Sequence, residues 1–212
     1  MNEKGSSLLI SVKVCWVTKI NRQCVVAEAL DLLDEVGLDG VSTRRLAQRL
    51  GVEQPALYWH FKRKEDLLAA MAEEAMAPQR SAPLPAAGDD WQEWFLENYR
   101  RFRRTLLLHR DGARLHAGTF PSDGDLEVLR GKIAFLADGA GVAPITAQAA
   151  MLAAGQLTIG NALEAQAAAD DTPPAVLERV DHEQGFEAGL RLLVGGLARP
   201  STGPAGSIVQ PG

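Results

Sequence analysis

Between Ser42 and Pro55 the chain ends one helix and begins another within a few residues, and few folds accommodate that. Ser42 can cap a short helix whose Leu46, Ala47 and Leu50 share a face, and Gly51 stops it. Pro55 takes the first position of the next helix, where its missing N–H costs nothing. Two short helices joined by a glycine turn make a helix-turn-helix pattern. Asn21 can cap a preceding helix that carries Val26, Ala29, Leu30, Leu33 and Val36 on one side and ends at Gly37. A further helix is expected from about Arg63 to Met76.

The charge map gives the hairpin a partner. The chain of 212 residues has a formal charge of −5, which alone argues against binding phosphate. Between Val41 and Lys64, however, Arg44, Arg45, Arg49, Lys62, Arg63 and Lys64 face a single acid, Glu53. That segment carries +5 and the remainder −10. A local basic surface on an acidic protein is what binding to double-stranded DNA requires. Gln54 and Arg44 are suited to base edges. Thr43, Tyr58, His60 and Lys64 are suited to phosphate oxygens, which fix register. The bland alternative is a solvated basic hairpin with Tyr58 and Trp59 as core aromatics.

The rest of the chain also repeats at three and four residues, so the fold class is all-α. A loop containing Pro78, Pro83, Leu84, Pro85 and Gly88 separates two parts. Helices are then expected at Asp90–His109, Asp111–Thr119, Leu126–Leu136, Thr146–Ala169 and Asp181–Leu197, with a glycine-rich break over Ala137–Pro144. The Ala- and Gly-rich Thr146–Ala169 segment reads as buried. The domains expected are a disordered extension over 1–19, a DNA-binding head over 20–77, a ligand-binding and dimerisation core over 89–199, and a disordered tail over 200–212. Arg100, Arg101, Arg103 and Arg104 lie near Glu93 and Glu97 and read as a salt-bridged face. Cys15 and Cys24 are too few for a disulfide framework and are not spaced as metal ligands, so the expected location is a reducing cytoplasm. No run approaches the ~20 apolar residues of a membrane span.

The segment Ala27–Leu68, above all STRRLAQRLGVEQPALYWHFKRK, resembles the TetR family. The similarity continues through Asp89–Pro121 and returns in TIGNALEAQ and DHEQGFEAGL. The resemblance implies a three-helix DNA-reading head, a helical ligand-binding and dimerisation core, and no enzymatic activity. It implies DNA contacts from Thr43, Arg44, Gln54, Pro55, Tyr58, Trp59, His60 and Lys64. Ala56 departs from the pattern, which has threonine there. It further implies a homodimeric repressor released from a palindromic operator by a small-molecule inducer. That inducer would be a tetracycline-like magnesium chelate or another polycyclic aromatic compound.

By the same resemblance the ligand is held by Asn98, Phe102, His116, Thr119, Pro121 and Ile133, under a lid of Val176, Leu177 and Val180. His116 would bind the ion directly, and Thr119 and Glu164 through water. No cofactor is intrinsic, since the magnesium arrives with the ligand. Three polar positions differ: a histidine expected near Arg80 is absent, Phe120 stands for an arginine, and Lys132 for a glutamine. Two rival readings remain. One is the same DNA-binding dimer with no effector, its pocket filled by Phe120 and Lys132. The other is a metal-dependent hydrolase using His109, Asp111, His116 and Glu164.

Overall fold

A computed structural model describes residues 20–119, 123–170 and 181–198, and these form ten α-helices and one 3-10 turn, with no strand among them. Helix α1 (Arg22–Val36) begins where the Asn21 side chain accepts from Cys24 N at 2.8 Å. A 3-10 turn over Leu38–Gly40 leads to α2 (Thr43–Arg49), capped by Ser42 Oγ accepting from Arg45 N. Gly51 ends α2 at φ +66, with Gly51 N donating to Gln48 O and Val52 N to Ala47 O. That paired pattern needs a left-handed residue, which glycine adopts without strain. Helix α3 (Gln54–Tyr58) follows, with Pro55 one place deeper in its first turn than expected.

Helix α4 (Lys64–Ala75) is succeeded by a single turn, α5 (Ala77–Arg80), where the sequence suggested only loop. Pro78 fits there because it lies in the first turn. Helix α6 (Trp91–Leu106) stops short of His109, and α7 (Gly112–Ala117) is brief. Gly112 is required at that junction, since a Cβ would lie 2.4 Å from Leu106 O. Helix α8 (Asp123–Ala140) runs past the break expected at Ala137 and ends at Gly141, φ +63. Helix α9 (Pro144–Asp170) is the longest, and α10 (His182–Leu197) closes the described fold.

Apolar side chains gather in three clusters. The first joins α1–α4 around Leu33, Leu46, Leu57, Phe61 and Met71, and it also receives Leu115 of α7. The second joins α6, α8, α9 and α10 around Phe95, Leu136, Phe186 and Leu190. Tyr99 is buried there and donates to Met151 O at 2.7 Å, and loss of water pushes its phenol pKa far above the usual value. A small third cluster, including Leu106, Ala113 and Ala162, lies between α6, α7 and α9.

Helix α9 corrects one expectation. Its alanine-rich surface is not wholly buried in the single chain: Ile145 is 71% and Leu152 61% exposed, and Leu192 on neighbouring α10 is 78% exposed. With apolar residues on every side, the helix has no polar stripe to mark an outer face. Among the described residues no single helix is long and apolar enough to cross a membrane. The expectations for 1–19, Phe120, Pro121, Val176, Leu177, Val180 and the tail from Pro200 lie outside the described residues.

Candidate DNA interface and ligand chamber

The reading face is built on α2 and α3. Leu46, Ala47 and Leu57 turn into the head's core and fix both helices, leaving the opposite faces outward. Gln54 Nε2 donates to Thr43 Oγ1 at 2.9 Å and to Tyr58 Oη at 3.3 Å. Three of the expected DNA-contacting residues are thereby locked together before any partner arrives. Pro55, Tyr58, Arg44 and Lys64 are exposed, and Ala56 and His60 are half-buried. Trp59 is 90% exposed. A surface indole at that exposure leaves most of its apolar area in water, which excludes the core-aromatic alternative for this residue.

The +5 balance is smaller in three dimensions. Arg49 bridges Glu28 and Glu35, and Arg63 pairs with Asp66 Oδ1 at 3.0 Å. Arg45 donates to Gly40 O. Arg44, Lys62 and Lys64 form no ion pair among the described residues. Arg22, from outside the counted segment, braces the end of α3, donating to His60 O and stacking 4.3 Å over Phe61. Nothing in the local pattern marked Arg22, because its partners lie 38 residues away.

The second candidate site lies between α6, α7 and α8. Asn98 and Phe102 are one turn apart on α6, and His116 on α7 meets Phe102 edge to face at 5.3 Å. Burial holds the imidazole pKa below its usual value, so the ring is neutral near pH 7. Ile133 of α8 packs against the second apolar cluster. Asn98 is buried but already engaged: its Oδ1 accepts from Lys132 Nζ at 2.8 Å and from Gln79 Nε2 at 3.3 Å. A cleft of about 570 Å³ opens beside Asn98, Trp94 and Arg101, under the loop that carries Pro83 and Pro85.

The expected metal set does not assemble in one chain. Thr119 Oγ1 donates to His116 O. Glu164, expected to be buried, is 74% exposed, 3.9 Å from His182 Nδ1. No cluster of three His, Cys, Asp or Glu side chains among the described residues could hold an ion. His116 alone offers one nitrogen, too few for a resident magnesium ion, which demands several oxygens. The four residues of the hydrolase reading are also dispersed: His109 pairs with Asp34 at 2.9 Å, and Asp111 accepts from Leu38 N at 2.7 Å.

Those last contacts expose what sequence reasoning missed. The α6–α7 junction is tied to the head by Asp111, Arg110 (whose N donates to Asp34 Oδ1) and Arg114 (paired with Asp39 at 3.1 Å). It is tied to α9 by Gln166, which accepts from Ala113 N and donates to His109 O. Asp111 sits at φ +55, a left-handed conformation that Asp adopts more readily than most residues. The arginine run on α6 behaves as expected: Arg100 forks onto Glu187, and Arg104 pairs with Glu97.

A glycine-turned helical hairpin with unpaired cations and a bare tryptophan, mounted on an all-helical body, defines a helix-turn-helix transcriptional regulator. Comparison with known proteins narrows the class. Residues 25–71 match the family model for bacterial regulatory proteins of the tetR family, and residues 84–175 match the tetracyclin repressor-like C-terminal domain. The tetracycline repressor protein class A of Escherichia coli is 40% identical over 201 residues, covering 86% of this chain and 93% of its own length. A TetR-family transcriptional regulator from Streptomyces coelicolor is 59% identical, with a TM-score of 0.67 over 84% of this chain and 97% of that one. A TetR variant from Acinetobacter baumannii in complex with minocycline is 41% identical, with a TM-score of 0.75 over 84% and 96%. The chain belongs to the TetR family; it is a DNA-binding transcriptional repressor and not an enzyme.

Proposed function

We propose that two copies of this chain hold a palindromic operator and release it when a polycyclic aromatic ligand enters the chamber between α6, α7 and α8. Residues 20–77 act as the reading unit and 89–199 as the ligand-binding and dimerisation unit. Gln54 and Arg44 read base edges. Thr43, Pro55, Tyr58, Trp59, His60 and Lys64 position the head on the backbone. The exposed Ile145, Leu152 and Leu192 give α9 and α10 an apolar surface for the second copy, beside Gly155 and Gly160, which have open space around them.

The observation that carries this reading is the position of α7. Leu115 is buried in the head's apolar cluster, and its neighbour His116 faces Phe102 in the chamber. Any occupant that moves His116 also moves Leu115. Helix α7 packs directly on α4, and Asp111 grips the 3-10 turn ahead of α2. Displacement at the chamber is thereby passed to both sides of the head. A ligand that prefers the released state 10⁴-fold, about 5.5 kcal/mol, would switch the population almost fully.

The minocycline-bound relative supports a tetracycline-type ligand. Magnesium, where a chelating compound brings it, belongs to the ligand. Selection from random-sequence duplexes tests the DNA half of the proposal. It should enrich a palindrome whose half-sites lie one helical turn apart, about 34–36 Å. Enrichment of single half-sites, or a monomer in sedimentation at micromolar concentration, would refute the dimer.

The Lys132–Asn98 bond favours a second reading, a repressor of the same fold whose chamber is closed by its own side chains. Under that reading the palindrome binds, and no aromatic compound raises the melting temperature.

A further inference from the structure

Lys132 is the anomaly of the chamber. Its ammonium is half-buried, hydrogen-bonded to the neutral Asn98 Oδ1 at 2.8 Å, and repelled by Arg101. Burial and that repulsion both pull its pKa below the usual lysine value. No carboxylate pairs with it among the described residues. The acids around the adjoining cleft all have other work. Asp90 caps α6, Asp89 accepts from Ala86 N, Glu93 lies 3.5 Å from Arg100, and Glu97 pairs with Arg104. Gln79, which donates to the same Asn98 Oδ1, keeps a buried Oε1 with no partner.

A buried cation without a counter-ion is costly, and proteins otherwise avoid it. Here Asn98 Oδ1 accepts from both Lys132 and Gln79, so the cluster holds a cation with no carboxylate against it among the described residues and one unmet acceptor, Gln79 Oε1. Asn98 lies one turn along α6 from Phe102, whose ring meets His116.

We propose that Lys132 is a specificity-determining residue that selects aromatic ligands bearing an ionised acidic group, which it pairs with in the chamber. The inference rests on the ligand-released reading above. It adds the charge of the ligand: an aromatic acid or ionised phenol takes the place that Asn98 Oδ1 now holds on the ammonium. A hydroxyl beside the acidic group would satisfy Gln79 Oε1 once that amide turns toward the occupant. Neutral aromatics of the same size must either leave the cation unpaired or leave the polar end of the chamber empty.

The test uses two fluorescent probes that differ by one sulfonate, 1-anilinonaphthalene-8-sulfonate and N-phenyl-1-naphthylamine. They are titrated into the full chain and into Lys132→Gln and Lys132→Arg, with melting temperature recorded alongside. Lys132→Gln should weaken the sulfonate probe at least tenfold and leave the neutral probe within twofold, while Lys132→Arg retains both. Equal weakening of both probes would make Lys132 merely structural, and no change in either would remove it from the chamber. Binding of the neutral probe alone to the unaltered protein would overturn this inference and spare the ligand-released reading. Binding of neither probe would overturn both.

Discussion

The two polar surfaces of this protein are built on opposite principles. On the head, Gln54 is hydrogen-bonded to both Thr43 and Tyr58, yet Trp59 stands bare in solvent, and the exposed Arg44 and Lys64 form no ion pair among the described residues. In the chamber, the buried Asn98 and the half-buried Lys132 are already bonded to each other. The head is ready for its partner; the chamber has to break a bond to accept one. Phosphate binding gains from exposed cations that shed counter-ions, so readiness costs the head little. A ligand chamber left open and polar would fill with water or collapse, and side chains that close on themselves prevent both.

The contrast can be broken by substitution. The largest effect is expected in the chamber's support. Phe95 of α6 is fully buried against α8, α9 and α10, and Phe95→Ala should cost about 3–5 kcal/mol of unfolding free energy. Chemical denaturation measures it. A loss below ~1 kcal/mol would mean that the core beneath the chamber is not packed as described.

Asp111→Gly comes next. It removes the acceptor of Leu38 N while suiting the left-handed backbone at that position. A hydrogen bond to a charged group is worth about 1.5–3 kcal/mol. Stability should fall by up to that amount, and ligand binding should persist while its effect on operator affinity shrinks. A variant with lower stability and unchanged coupling would assign the coupling to the packing of α7 on α4 and to the Arg110 and Arg114 ties rather than to Asp111.

Arg44→Ala should weaken operator binding by about 1–3 kcal/mol and relax preference at one base pair, without altering the melting temperature. Trp59→Ala should likewise leave stability within about 0.5 kcal/mol, since its indole is 90% exposed, but weaken DNA binding. Destabilisation by either would turn the head's ready surface into a packed one.

The smallest expected effect is on pH dependence. The folded state holds the His116 pKa below its unfolded value, because burial disfavours the charged ring. The unfolded chain therefore takes up the proton first. Stability is intact above about pH 6.5, the unfolded histidine value, and declines as pH falls below it. His116→Gln should flatten that decline between pH 6.5 and the lower folded value, whereas an unchanged slope would assign the pH dependence to other groups.

How much of this was legible in the sequence follows from the range of the interactions. The caps at Asn21 and Ser42, the turn at Gly51 and the approach of Asn98 and Phe102 are local, set by residues within four of each other. They were read correctly. The meeting of Phe102 with His116 followed from the family resemblance, since no local signal spans that gap. Asp111 and Leu38 lie 73 positions apart, and Lys132 and Asn98 lie 34 apart. No periodicity carries such pairings. Glu164 reads as buried from its alanine-rich surroundings and is exposed in the single chain, because α9 is apolar on every side and the sequence does not show the direction of its open face. The glycine-rich run predicts a break over Ala137–Pro144, whereas α8 continues to Ala140 through Gly139. That glycine stays helical and lets α8 approach Trp91, whose Cβ lies 2.8 Å from where a Cβ on Gly139 would be.

The central claim is that chamber and head share α7. It is tested most directly by measuring the affinity of the selected palindrome, by fluorescence anisotropy, with and without a saturating chamber ligand identified by thermal shift. The account predicts that the ligand weakens DNA binding at least tenfold, about 1.4 kcal/mol of coupling. It also predicts that bound operator weakens the ligand by the same factor. A ligand that binds one per chain and leaves operator affinity unchanged would contradict it.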